Sequence, residues 1–168
     1  MRALPVISAL VIGASLVGGV AYTQFATADE MLTFSVTSPA SEATGFTVID
    51  LGESERSVGD IWLIDKSFTG DDGMSGTLSG MLVITDVPDG EDTQQDFMGQ
   101  LVFEFGGMDS IVVAAESESV PDGEEMVLDG EQARAIIGGT GKFVGARGQV
   151  LSTESEDGSW SHTFQLLD

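Results

Sequence analysis

Asp65 ends the apolar run Ile61-Trp62-Leu63-Ile64, and Arg147 stands among the small residues Gly145, Ala146 and Gly148. An acid at the end of such a run projects into a cavity if the strand lines one, and burial there raises its pKa toward the range useful for proton transfer. A guanidinium with small neighbours can reach into a pocket, where its fixed fork suits a carboxylate or a polarised carbonyl. Asp65 and Arg147 are therefore the candidate catalytic pair. Each also has a plainer reading: Asp65 as a solvent-facing acid paired with Lys66 or Lys142, and Arg147 as one half of a salt bridge tying two strands.

Other chemistries find less support. His162 is the single histidine, so a Ser-His-Asp triad could form only around it, yet the chain has no Gly-x-Ser-x-Gly elbow. It reads as a surface histidine on a strand. With no cysteine and one histidine, and with Gly70-Asp71-Asp72-Gly73 lacking the spacing of a calcium loop, no metal site is expected. Gly141-Lys142 is followed by Phe143 where a phosphate loop needs Ser or Thr, and Gly139, Gly141 and Gly145 miss the dinucleotide spacing. No cofactor is expected either. Trp62, Phe103, Phe105 and Phe143 are candidates for the lining of an apolar pocket that takes a hydrophobic small molecule, with core packing as the alternative.

The elements that must position these residues read as strands. Short β-type runs alternate with Asp, Gly and Ser clusters, which is an all-β pattern. Strands are expected at Met31 to Thr37, Phe46 to Leu51, Gly59 to Phe68, Gly76 to Asp86, Asp96 to Phe105, Ser110 to Glu116, Ala133 to Ile137, Phe143 to Thr153 and Ser159 to Leu167. Leu101, Phe103 and Phe105 share one face, as do Trp160, His162, Phe164 and Leu166. The acidic segment from Glu116 to Glu131 reads as a mobile loop.

Residues 1–28 read as an export signal: Arg2, an apolar run from Ala3 to Val20, then Ala26-Thr27-Ala28, with cleavage after Ala28. This places the protein outside the cell or in its envelope, with no stable membrane insertion once the signal is removed. An uncleaved anchor is the alternative, because the run is only slightly shorter than the roughly 20 residues a spanning helix needs. Residues 29–168 make one domain, held without disulfides. Six Lys and Arg against 28 Asp and Glu give a net charge of −22. That balance argues against nucleic acid and anionic lipid as partners, since both need clustered cations; it favours solubility, in a salty setting above all.

The stretch AIIGGTGKFVGARGQV, from Ala135 to Val150, resembles the GGTGxF and ARG signature of dirigent proteins and the Gly-rich hairpin of allene oxide cyclases. Further likeness lies in Gly59 to Thr69, GDIWLIDKSFT, and in Gly76 to Thr85, GTLSGMLVIT, where a glycine interrupts an apolar run. The resemblance implies a single antiparallel eight-stranded β-barrel, a homotrimer, and a cofactor-free cyclase or isomerase that folds a small apolar substrate into one reactive conformer. It also implies that Asp65 and Arg147 occupy pocket positions. The chain departs from the pattern in three places: the first strand reads Phe34-Ser35-Val36-Thr37-Ser38-Pro39 without the cyclase glutamate, Leu82 stands where those enzymes have a cysteine, and Lys66 replaces the second acid of the dirigent pair. A non-catalytic barrel that carries a hydrophobic molecule is the rival expectation.

Overall fold

In the computed structural model, residues 31–40, 46–52, 56–87, 95–122, 125–128 and 130–167 are described, so the expected signal lies outside the described residues. Ten strands are seen: β1 (Leu32–Ser38), β2 (Phe46–Ile49), β3 (Ile61–Gly70), β4 (Ser75–Asp86), β5 (Gln95–Glu104), β6 (Ser110–Asp122), β7 (Glu125–Leu128), β8 (Gln132–Thr140), β9 (Gly148–Glu154) and β10 (Trp160–Leu166). Eight of them follow the order β1-β10-β9-β8-β6-β5-β4-β3, and β3 returns to β1 through Val36 opposite Gly70 and Thr37 opposite Thr69. The result is a closed antiparallel barrel. The short β2 and β7 lie beside it, β2 along the start of β3 and β7 along the end of β6. Closure gives most of the strands a partner on both sides, which removes the sheet edges that a domain without disulfides would otherwise expose.

Alternation fills the interior. Trp62, Ile64 and Phe68 of β3, Leu78, Leu82 and Ile84 of β4, Phe97, Leu101 and Phe103 of β5, and Ile111, Val113 and Ala115 of β6 are buried in one core. Val36, Ile136, Val150, Phe164 and Leu166 complete it from the other strands. At one end of the barrel the aromatic rings close on each other: Phe34 stacks on Phe164 at 4.8 Å, Phe103 meets Phe164 edge-on at 4.9 Å, and Phe105 lies 5.0 Å from Phe143.

Two expectations about the chain's course need correction. Residues 116–131 are not one loop: β6 continues to Asp122 and β7 pairs back onto it. Glu116 to Val120 alternates Glu with Ser and ends in a β-branched residue, a two-residue period that suits a strand, and the acidic character of the segment masked this. Phe143 does not open a strand; it ends a 3-10 turn, Gly141–Phe143, and β9 begins only at Gly148. Two glycines explain the turn. Gly141 takes φ of 59°, and a Cβ at Gly139 would come within 2.6 Å of the Ser110 and Phe143 carbonyl oxygens. The turn thereby tips Phe143 over the aromatic end of the barrel.

Candidate functional site

β3 is the strand that decides which polar groups enter the barrel. Its inward positions carry Trp62, Ile64, Lys66 and Phe68, and its outward positions carry Leu63, Asp65, Ser67 and Thr69. Asp65 is thus exposed on the outer surface, and the expected interior carboxylate is replaced by the half-buried amine of Lys66. The cause is the two-residue period of a strand, which gives adjacent residues to opposite faces. Arg147 is also exposed, in the loop between the 3-10 turn and β9, where its carbonyl accepts a hydrogen bond from the Leu167 amide. The structure therefore does not bring Asp65 and Arg147 together inside the barrel.

The interior cavity lies between Ser38 of β1, Phe46 of β2, Ile64 and Lys66 of β3, Leu78 and Leu82 of β4, Leu101 of β5, Arg134 of β8, and Trp160 and His162 of β10. Together with the open solvent at its mouth the empty space measures about 440 Å³, and about 30 Å³ of the cavity can hold the centre of a water molecule. That core space suits roughly two waters or one compact group. None of the four aromatic residues expected to line a pocket lines this cavity. Phe103, Phe105 and Phe143 belong to the aromatic end described above, while Trp62 sits one layer further along β3, packed against Phe46 at 5.7 Å and Phe97 at 5.6 Å. Their size and their ability to interlock made them better plugs than walls.

His162 is the largest departure from expectation. It is 2% exposed, with its ring edge-on to Phe103 at 5.0 Å, and Nδ1 shares a hydrogen bond of 2.9 Å with Ser152 Oγ on the neighbouring strand. Nε2 is buried with no hydrogen-bond partner, as is Ser38 Oγ, and both residues line the cavity. Burial first, then the positive charges of Arg134 and Lys66, push its pKa down to about 3. The ring is consequently neutral across the physiological range.

The two cations of the cavity differ in setting. Arg134 is 5% exposed and its Nη2 donates to Gln132 Oε1 at 2.6 Å. Burial lowers its pKa to about 10, which leaves it charged at neutral pH. Lys66 sits at the mouth, its Nζ 4.4 Å from the centre of the Phe46 ring and 5.5 Å from that of Trp160. Burial lowers its pKa, while the charge of Glu154 on β9 opposes that shift. The two aromatic faces stabilise the ammonium where water is partly excluded. Among the described residues, every ionisable side chain that lines the cavity is basic and none is acidic.

Sequence reasoning read His162 as a surface residue and Lys66 as a departure from the dirigent pattern, and gave Arg134 and Ser38 no role, although a signal for each was present. Lys66 shares its parity with Ile64 and Phe68, Arg134 with Ile136, His162 with Phe164, and Ser38 with Val36.

No family model and no curated protein matches the chain. Solved structures do. The chain is similar to pyocyanin demethylase, with a TM-score of 0.61 and 17% identity over 80% of this chain and 99% of that one. It is also similar to a pterocarpan synthase dirigent protein, with a TM-score of 0.50 and 17% identity over 81% of each chain. Likeness at this identity speaks to the fold, and with the strand order above it establishes an eight-stranded antiparallel barrel of the dirigent-like type.

Proposed function

We propose that this protein is a small-molecule-binding barrel whose ligand sits in the cavity between Lys66, Arg134 and His162. The observation that carries this reading is that two residues of the cavity lining, Ser38 and His162, carry buried polar atoms with no hydrogen-bond partner, Oγ and Nε2, in a cavity that Ile64, Leu78, Leu82 and Leu101 also line. Each such atom costs about 1–3 kcal/mol when left without a partner, and a ligand's hydrogen bonds would recover that cost. Both similar structures are named for small organic molecules, pyocyanin in one and a pterocarpan in the other. Adding neutral one-ring compounds such as phenol or toluene should shift the methyl NMR signals of Leu78, Leu82 and Leu101. Leu82→Phe, which fills the cavity, should abolish the effect. Shifts spread over the outer surface instead of those methyls would remove the reading.

A second reading makes the barrel a cofactor-free isomerase or cyclase, exported from the cell. The neutral His162 ring favours it, since His162 lines the cavity with Lys66 and Arg134 and its Nδ1 shares a hydrogen bond with Ser152 Oγ. Such a group can take or give a proton while the walls hold a flexible substrate in one conformer. If this holds, a substrate found by co-purification from the host's secreted fraction is converted by the wild type, and His162→Gln lowers kcat more than it raises KM. Equal turnover by both proteins would leave the carrier reading alone. N-terminal sequencing of the same secreted material should begin at Asp29.

A further inference from the structure

We infer that the natural ligand carries a carboxylate on a compact apolar body, and that this carboxylate is held at Lys66, His162 Nε2 and Ser38 Oγ. The inference rests on the binding-barrel reading above and adds the chemical class of the ligand.

Charge distribution carries the first step. The chain has 28 acidic residues and only six Lys and Arg. Two of those six, Lys66 and Arg134, line the one small cavity just described, together with the single histidine, and no Asp or Glu among the described residues lines it. A fold with so few cations that places two against an apolar interior loses much of their hydration, and an anion that enters restores it. The acidic outer surface opposes this only weakly. At physiological salt its field is screened over about 8 Å, whereas a carboxylate inside the cavity meets the cations at contact distance. Glu154 stands near Lys66 but is half-exposed and hydrated, so it competes from the solvent side of the mouth.

Hydrogen-bond capacity carries the second step. A carboxylate accepts through two oxygens and can take several donors at once. Lys66 offers an ammonium, Ser38 a hydroxyl, and His162 an Nε2 that is a donor when Ser152 Oγ–H donates to Nδ1. These groups come from β3, β1 and β10 and face one space. A neutral amide or ester would forgo the attraction of the cavity's cations, and an amine would add a further cation.

Shape carries the third step. Leu78, Leu82, Leu101 and Ile64 form the opposite wall, and a Cβ on Gly80 would already come within 2.6 Å of Leu101 Cδ2 and 3.3 Å of Ile64 Cδ1. The inward hydrogen of that glycine leaves space for one ring or one branched group. The aromatic end blocks a longer chain from running through the barrel.

The test uses sodium benzoate and its neutral isostere benzamide, titrated into the folded barrel and read by calorimetry and by the imidazole NMR signals. The assignment is unambiguous because the chain has one histidine. Benzoate should bind about tenfold more tightly than benzamide, the difference expected for one charge-assisted hydrogen bond. It should also move the His162 ring signals, and Lys66→Met should bring the two affinities together. Equal affinities in the wild type, with the cavity methyls still responding, would overturn the carboxylate assignment and leave the binding barrel in place. No response to either compound would overturn both. The His162 signals in the wild type decide the matter even if Lys66→Met fails to fold.

Discussion

At the scale of single residues, His162 couples the cavity to pH. Its pKa of about 3 in the folded barrel lies below the value near 6.5 in an unfolded chain. Between those values the unfolded chain binds a proton that the folded one refuses, so stability falls as pH falls through 6.5. From pH 7.5 to pH 5 this single group should cost the wild type about 2 kcal/mol relative to His162→Gln, read from urea unfolding of both proteins. Parallel curves would mean the ring is hydrated in the native state. Asp60 acts in the same direction at lower pH. Its buried carboxylate accepts from the Leu51 and Ser57 amides and from the Ser57 hydroxyl, which holds its pKa below the usual value. That stabilisation is lost as pH falls below about 4. Much of this was legible: Trp160, His162, Phe164 and Leu166 share a face in the sequence, so the pattern that made β10 amphipathic already placed His162 inside. Asp65 attracted attention because it is an acid at a strand's end, but parity with Leu63 assigns it to the outer face. Chemical type suggested the wrong neighbour, and the strand's period points to Lys66.

At the scale of elements, β4 sets the volume of the cavity through Gly80. That glycine falls in the inward row with Leu78 and Leu82, opposite Ile64 of β3 and Leu101 of β5. Gly80→Ala should fold, because the one atom nearer than 3.0 Å is the end of the Leu101 side chain, while the Gln100 carbonyl oxygen and Ile64 Cδ1 stand at 3.3 Å. It should displace Leu101 into the empty space and weaken binding of one-ring ligands at least about tenfold, by the cost of overpacking. Unchanged affinity would place the ligand elsewhere. The glycine inside an apolar run was visible as a feature of GTLSGMLVIT, but its use as a void-former depends on which strands flank β4, and pairing across a barrel is not local information. The same limit applies to the β8–β6 pairing, where the register slips between Val112 and Val113. Strand existence was legible from alternation and turn residues. The bulge, the 3-10 turn at Gly141 and the short β7 depend on contacts with distant strands.

At the scale of the whole molecule, a net charge of −22 on a chain of this size makes self-repulsion a term in stability. Raising NaCl from 0.05 to 1 M shortens the screening length from about 14 Å to about 3 Å, so the urea midpoint should rise. A falling midpoint would show that the surface ion pairs, such as Lys142 with Asp109 at 3.5 Å, outweigh the repulsion. All-β class, one domain and barrel closure could be argued from composition, strand spacing and the resemblance, whereas the contents of the barrel needed coordinates. The closure itself is uneven. β5 and β6 match ten residue pairs, while β3 and β1 match only two, Val36 with Gly70 and Thr37 with Thr69. This is the narrowest clasp in the wall, and Ser38, on the same strand one residue past Thr37, already lines the cavity. Amide exchange should accordingly be fastest, among the barrel-closing pairings, at the β1–β3 contact, and slower there once a ligand is bound. The wall of this barrel would then act as a zip with one loose tooth, and the rate at which that tooth parts would set how quickly a guest can arrive or leave.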